Sequence, residues 1–422
     1  MAHRAPVFGG TPIDEIVALV ENGFATWTDT DERDDRVIAA QTALLVRAPL
    51  ETVFQTTADF ENQHRFVRIA QRSRIHSKVD NTLDITLRQG FGLPFLSVGL
   101  HERFRFRVEP PERVLCEAYL GGSFSHAFYE SHCFPLDSDR TLFILSFVAD
   151  LASLGWLTRF FLAFQPELEF ALAANVGLIP ASQIADEAER RAGRKPGASR
   201  PPALPLWDAI GRGMLGPALR HGYVTHGRYD PQGEVMDVAC ATRLGLSRKA
   251  AWDAVIAPET LVQAVSFVEQ GRTVELTDSR LRTELFYRVR LGPFSRRYEM
   301  TLDADISPID WVKGRRAVLN GLEVKQGNFF FSAGDDTVLC HLFHTNLKQD
   351  WLMRIFFRKH EEFARVIATY GSVIVVRALR LHLGGPSDRS AGQDAAQGNA
   401  SDDRGETGTG TAGSASASAQ GS

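Results

Sequence analysis

A carboxylate at the head of an apolar strand face is the first place where this chain could do chemistry. Glu102 shares parity with Phe104, Phe106 and Val108, and alternate residues of a strand project from one face. Turned inward, its carboxyl would be desolvated, its pKa would rise, and it could serve as a general acid or base. At the first position of the strand it would sit instead at a wet rim, and parity alone leaves both open. Arg159 and Arg354 form the second set. Each follows a tryptophan, Trp156 and Trp351, by one helical turn. A guanidinium there either ties a helix to a sheet through a carboxylate or clamps the polar end of a ligand.

Other constellations lead away from chemistry. His126, Glu130 and His132 share parity and are a metal-ligand set by type. Phe128 interrupts them, however, and the matching segment later in the chain (Val324 to Phe331) has no histidine. A polar strand face is the simpler reading. His341 and His344 fall on opposite faces of one strand and converge only with a third group. Gly211-x-Gly213-x-x-Gly216 has the spacing of a dinucleotide loop. It follows a Pro-rich stretch, with no strand before it, and so lacks the context that fingerprint needs. Neither a GxSxG nor an HExxH string occurs. The four cysteines, Cys116, Cys133, Cys240 and Cys340, lack metal-binding spacing and read as small core residues of a reduced protein. No catalytic set, metal or cofactor is expected.

The elements that must position these residues are written twice. Gly155-Trp156-Leu157-Thr158-Arg159-Phe160-Phe161 reappears as Asp350-Trp351-Leu352-Met353-Arg354-Ile355-Phe356. Each copy follows an apolar run (Leu142 to Val148, Val338 to Phe343) and opens a long amphipathic stretch. Val37 answers Val235 at an offset of 198 (235 − 37), which also carries Phe54 to Trp252 and Pro110 to Pro308. Asn22-Gly23-Phe24-Ala25-Thr26 is echoed by His221-Gly222-Tyr223-Val224-Thr225. Register held over such a span marks a duplication.

Within the first copy, apolar spacing predicts a helix from Pro12 to Trp27, a strand over Val37–Val46 and a short helix over Leu50–Phe60. Strands follow at 74–79, 82–89, 102–108, 114–120, 126–134 and 141–148, with turns at 90–94, Pro110-Pro111 and 137–139. A helix then runs from Trp156, broken at Gly177 to Pro180, and resumes to Arg191. The expected layout is an N-terminal helical extension over 1–36, a first domain over 37–192, and a Pro-rich linker over 193–206. A second domain with its leading helix covers 207–383. The Gly, Ser and Asp-rich tail over 384–422 cannot offset its own ordering entropy and is expected to be disordered.

Composition sets the function classes. A net charge of −4 argues against a nucleic-acid partner. No secretory leader or run of about 20 apolar residues is seen, which suits a cytoplasmic protein. The second C-terminal stretch carries Arg354, Arg358, Arg365, Arg377 and Arg380 among large apolar residues. Transient contact with an anionic membrane surface is one reading of it. A core-facing helix with a basic outer side is the preferred one.

The string Ala48-Pro49-x-x-x-Val53-Phe54-x-x-x-x-Asp59-Phe60-Glu61 resembles the opening of the START-like superfamily, which includes polyketide cyclases and coenzyme Q-binding proteins. The second copy, Leu246-Ser247-x-x-x-Ala251-Trp252-x-x-x-x-Ala257-Pro258-Glu259, is similar without the Pro and the Asp. The resemblance implies an α+β fold of two tandem helix-grip domains, each a curved antiparallel sheet wrapped around a long C-terminal helix. It implies a cavity between sheet and helix for a lipid, sterol, quinone or polyketide, with the helix and the 90–95 loop as a lid. The 28 phenylalanines suit such a cavity and would equally fill a core. The expected ligand-binding residues are Glu102, Phe104, Phe106, Trp156, Arg159, Phe160, Tyr287, Trp351, Arg354 and Ile355. The expected function is binding or transport of a hydrophobic small molecule, with a di-domain polyketide aromatase/cyclase as the alternative.

Overall fold

Patterned strands make up the largest part of the fold, and the computed structural model describes residues 6–31, 35–93, 96–150, 166–196, 203–230, 234–291, 294–345 and 361–384. A 3-10 turn (Val7–Gly10) and helix α1 (Ile13–Val20) lead into strands β1 (Gly23–Thr30) and β2 (Val37–Val46). Helices α2 (Leu50–Ala58) and α3 (Gln63–Phe66) precede the antiparallel run β3 (Ala70–Val79), β4 (Thr82–Leu93), β5 (Leu96–Glu109), β6 (Arg113–Gly122), β7 (Ala127–Pro135) and β8 (Thr141–Ala149). Helices α4 (Pro166–Asn175) and α5 (Leu178–Arg191) close the first repeat; the break expected over Gly177 to Pro180 is shorter, since Leu178, Ile179 and Pro180 already belong to α5.

The second repeat follows the same order. It runs through α6 (Leu206–Gly211), α7 (Gly216–His221), β9 (Gly222–Tyr229), β10 (Val235–Leu244), α8 (Arg248–Ile256) and α9 (Pro258–Ala264). Strands β11 (Val268–Leu276), β12 (Arg280–Leu291), β13 (Phe294–Ser307), β14 (Trp311–Leu319), β15 (Leu322–Ala333) and β16 (Asp336–Thr345) lead to helix α10 (Glu361–His382).

All sixteen strands join one sheet, in the order β11, β12, β13, β14, β15, β16, β10, β9, β1, β2, β8, β7, β6, β5, β4, β3. The order is a palindrome about β9 and β1. These two strands carry the echoed sequence, and they pair antiparallel with Thr26 opposite Thr225 at the centre. The glycines of the echo have a physical reason. A Cβ on Gly23 would lie 2.3 Å from the Gly227 carbonyl oxygen, and one on Gly222 would lie 2.0 Å from that of Thr28. Only glycine lets the repeats approach so closely.

Two corrections concern the start of the chain and the hairpin tip. The predicted helix over Pro12–Trp27 ends at Val20, and Gly23–Thr30 is a strand inside the sheet. That strand is buried on both faces, so it carries no alternation to set it apart from the helix before it. The stretch Gly90–Leu93, expected as a loop, continues β4. Residues 94–95 and the tail beyond 384 lie outside the described residues.

Each repeat is tied in the same way. Thr141 Oγ1 donates to the Ala48 carbonyl at 2.9 Å, and Thr337 Oγ1 to that of Leu246 at 2.9 Å. Where Pro49 precedes α2, Ser247 stands before α8, and its hydroxyl accepts from the Ala250 amide at 3.4 Å. The missing proline is thus replaced by a side-chain cap. The inner face of the first repeat packs Phe60, Ile85, Phe104, Phe106, Tyr129 and Leu145 with Leu178, Ile179 and Ile184 of α5. The leading helices, through Ile16, Leu19, Leu206, Leu215 and Leu219, cover the other face of the central strands. Among the described residues no helix is long and apolar enough to cross a membrane.

Candidate functional site

The inner face of β5 meets β6 in a register broken twice, between Arg103 and Phe104 and again between Arg105 and Phe106. Such bulges re-aim side chains. Here they bring Tyr119 opposite Phe104 and turn its phenol toward Glu102. Glu102 points inward and is 3 % exposed. It is not at the first position of its strand, which begins at Leu96. A Cβ on Gly122 would fall 2.6 Å from the Glu102 carboxylate and 2.1 Å from the His101 carbonyl oxygen. Glycine is therefore required where β6 closes over the acid.

Two groups hold the carboxyl. Tyr119 Oη is hydrogen-bonded to Oε2, and the Ser123 amide donates to Oε1 at 3.1 Å. Tyr119 Oη also lies 3.0 Å from the Phe124 carbonyl oxygen, which can only accept. One phenol proton cannot serve two acceptors. A protonated Glu102 satisfies both, donating to Tyr119 while Tyr119 donates to Phe124. Burial pushes the Glu102 pKa up, opposed by the bonds from Tyr119 and Ser123. Burial and the neighbouring Glu102 also push the Tyr119 phenol up. Both groups are therefore held toward their neutral, proton-donating forms.

Aromatic rings surround the pair. Phe104 stacks on Phe106 at 5.3 Å and meets Tyr119 at 5.4 Å, and Phe106 stacks on Phe60 at 5.0 Å. Tyr129 meets Phe106 edge-on at 5.7 Å, and its buried hydroxyl lies by Gln63 without completing a hydrogen bond. On the opposite face of β5, Arg105 is bound to Asp84 at 2.8 Å and Arg107 to Glu117 at 3.2 Å. That face is the half-exposed charged one the alternation predicts.

The second repeat has no such pair. At the same offset of 198 (300 − 102), Met300 stands for Glu102, Leu302 for Phe104 and Ala304 for Phe106. Leu302 faces Ala317 as Phe104 faces Tyr119. Tyr287 lies on β12, where its hydroxyl meets Met300 Sδ at 3.7 Å and its ring packs near Phe267. Glu102, Phe104 and Phe106 thus come together, and Tyr287 belongs to the other repeat. Trp156, Arg159, Phe160, Trp351, Arg354 and Ile355 lie outside the described residues. Sequence reasoning missed Tyr119, Ser123 and Tyr129. The bulges in β6 hid the parity of Tyr119, and only the Gly121-Gly122 pair hinted at them.

The histidines of β7 do not converge. His126 precedes the strand and sits edge-on to Tyr119 at 6.3 Å, while His132 Nε2 is bound to Glu130 Oε1 at 2.5 Å. The Glu130–His132 pair makes this the polar strand face expected, with Glu130 itself buried. Among the described residues no group of three or more His, Cys, Asp and Glu could hold a metal ion. Burial pushes the Cys116 thiol up to about 11 and that of Cys133 to about 12, which leaves neither as a thiolate nucleophile.

No known family profile matches the chain, and no curated protein matches it. Among solved structures it is similar to the di-domain ARO/CYC StfQ from the steffimycin biosynthetic pathway. The identity is 12 %, with 83 % of this chain and 99 % of that chain covered and a TM-score of 0.28. It is similar to the di-domain ARO/CYC BexL from the BE-7585A biosynthetic pathway at 13 % identity, covering 82 % of this chain and 99 % of that one, with a TM-score of 0.29. The human StarD13 lipid transfer and protein localization domain is similar over 39 % of this chain and 85 % of its own, at 9 % identity and a TM-score of 0.27. Likeness of this degree carries no argument about activity or ligand. What the chain's own strand order displays is one α+β order of elements run twice and joined through β1 and β9 into a single antiparallel sheet.

Proposed function

We propose that the first repeat binds a hydrophobic small molecule between its sheet and its C-terminal helix, with Glu102 and Tyr119 holding an oxygen of that ligand. On this reading residues 37–192 and 207–383 are the two domains, each sheet curves around its own C-terminal helix, and the chain carries its ligand unchanged. The observation that supports it is the buried acid–phenol pair on a face otherwise made of rings. Burying a carboxyl costs stability, and the second repeat folds with Met300 and Ala317 in the same places. The fold does not need the pair, so a ligand is its best account. The pair is the polar end of this face, and it suits a ligand oxygen that takes the place of the Phe124 carbonyl as the acceptor of the Tyr119 proton.

A second reading is favoured by the upward shift of Glu102. A neutral acid beside a phenol can also pass a proton to a bound carbonyl, as the closure and dehydration of a poly-β-ketone by an aromatase/cyclase would require.

Native mass spectrometry of the purified full chain, followed by solvent extraction, tests the first reading. A co-purifying apolar compound that is lost in Glu102→Gln and Tyr119→Phe supports it. Retention of the same compound by both variants removes the pair from the site. If the protein emerges empty and a supplied poly-β-ketone is cyclised only with Glu102 intact, the catalytic reading replaces it.

A further inference from the structure

The inner face of the second repeat carries a different polar set. Gln326, Asn328 and Phe330 alternate along β15, and Phe330 lies inside against Trp252 at 5.4 Å. His341 on β16 pairs directly with Asn328, so both side chains share that inner face. His341 Nδ1 lies 2.7 Å from Asn328 Oδ1. That oxygen can only accept, so Nδ1 carries the ring proton and Nε2 presents a lone pair.

Nε2 of His341 is buried and completes no hydrogen bond, although the Gly327 backbone lies near the ring, and Oε1 of Gln326 is also buried without a partner. The two residues are 2 % and 8 % exposed. Both orphaned atoms are acceptors, set diagonally on adjacent strands. Val324, Leu339 and Phe330 make the rest of this face apolar, and Phe343 stacks beside His341 at 6.4 Å. Burial holds the His341 pKa down at about 4, so the ring stays a neutral acceptor at physiological pH. Buried polar atoms in native folds are nearly always paired, and an orphan calls for a cause. The matching positions in β7, at an offset of 197 (326 − 129), are Tyr129 and Ser131, whose buried hydroxyls also lack partners. Both repeats thus keep unfilled polar valences on the same row. The first offers hydroxyls, which donate and accept, and the second offers acceptors alone.

We propose that the second repeat holds a binding site of its own, in which His341 and Gln326 each accept a hydrogen bond from one of two neighbouring hydroxyls of an apolar ring compound, a catechol or alicyclic vicinal diol. Asn328 is the positioning residue that fixes the imidazole tautomer. The site is independent of the first repeat.

The test uses the full chain carrying Glu102→Gln, so that the first repeat's acid is removed, and compares 2,3-dihydroxynaphthalene with its dimethyl ether by calorimetric titration. The two probes differ only in the donors. The expected result is that the diol binds more than tenfold more tightly, about tenfold being the worth of one good hydrogen bond. His341→Phe and Gln326→Leu should each lower the affinity for the diol about tenfold and leave the ether unchanged. Equal affinity for the two probes, or a preference that neither substitution lowers, overturns the proposal. Nitrogen-15 spectra of the unsubstituted imidazole give a second readout should either variant fail to fold. The diol must shift the His341 Nε2 resonance, and a resonance that does not move under saturating diol also overturns the proposal.

Discussion

Trp27 and His226 occupy the same position of the two repeats, and each reaches into the leading helix of the other. The Trp27 indole donates to the Ala218 carbonyl at 2.9 Å, and His226 Nε2 meets the Leu19 carbonyl oxygen at 2.9 Å. The offset of 199 joins both ends of the exchange (226 − 27 and 218 − 19). Two folded repeats therefore share one interlocked centre, and their stabilities should not separate. Trp27→Phe removes the indole donor and leaves a buried carbonyl unpaired, at a cost of about 1–3 kcal/mol. Urea unfolding should show this as a shifted midpoint of one transition. Two transitions, with only one of them moved, would contradict the shared centre.

Buried histidines predict the acid limb of stability. Burial lowers His226, His341 and His344 to about 4 in the folded chain, below the ordinary value of about 6.5. Between those values the unfolded chain binds more protons than the folded one. Their contribution is complete above about pH 6.5 and is lost as pH falls toward 4. Each histidine accounts for at most about 1.4 kcal/mol per pH unit in that window. His226→Gln should flatten the slope measured by urea unfolding between pH 6.5 and 4.5, with the other two histidines left to carry it.

Glu102 acts in the opposite direction. Its folded pKa is raised by burial, so the folded chain holds its proton where the unfolded chain releases it. Stability from this group is present below the ordinary carboxylate value and declines as pH rises through the folded value. Glu102→Gln keeps the shape and a hydrogen-bonding oxygen while abolishing that loss. The variant should match or exceed the parent in stability at pH 7. A destabilised Glu102→Gln would mean that the acid supports the fold.

Much of this arrangement can be read from residues, and the gaps have physical causes. Strand β2 was legible to its ends because Ala48-Pro49 stops it, and the β3 to β8 series because apolar residues alternate between clear turns. Strand β1 was not, since Ile13, Ile16, Val17, Val20 and Phe24 continue a helical spacing past the true end of α1. Glu102 could be placed on the apolar face but not decided as inward, because the decision belongs to Gly122 on another strand. The His341–Asn328 pair depends on the register between β15 and β16. No spacing within one strand encodes that. The duplication was the most legible feature, since the echoed glycines and threonines sit at the close contact between repeats.

Beside its apolar packing, helix α5 is tied to the end of β2 by a buried acid. Glu189 is 1 % exposed and accepts from the Arg47 amide at 3.0 Å and from its guanidinium at 3.2 Å. Glu189→Ala would leave the amide and guanidinium of Arg47 without this acceptor. Removing one partner of a buried pair costs about 3–5 kcal/mol. Arg47 keeps some contact with water and with the Lys195 carbonyl, so the lower end of that range is expected. Hydrogen exchange should locate the loss in 178–191, with α10 unaffected.

The two C-terminal helices meet at a buried charge cluster that should couple the repeats. The Tyr223 hydroxyl donates to Asp35 at 3.0 Å, and Arg377 Nε donates to the same carboxylate at 2.8 Å. Arg377 also lies over the Phe170 ring of α4 at 4.5 Å, and Arg380 over the Tyr223 ring at 4.8 Å. One carboxylate thus sits among two guanidinium groups, and Asp35 is itself only 7 % exposed. Asp35→Asn keeps the shape and removes the charge, leaving Arg377 and Arg380 to repel each other where water cannot screen them. A loss of about 3–5 kcal/mol follows for a broken buried pair. Arg377→Met alone strands the carboxylate, whereas the double variant removes both charges and should recover part of the loss. A double-mutant cycle measured by urea unfolding isolates that coupling. Additive effects would show that the cluster is not a cooperative joint. A coupling of about 1 kcal/mol or more, with ligand affinity in the first repeat shifted by Arg377→Met, would make it the path by which one repeat senses the other.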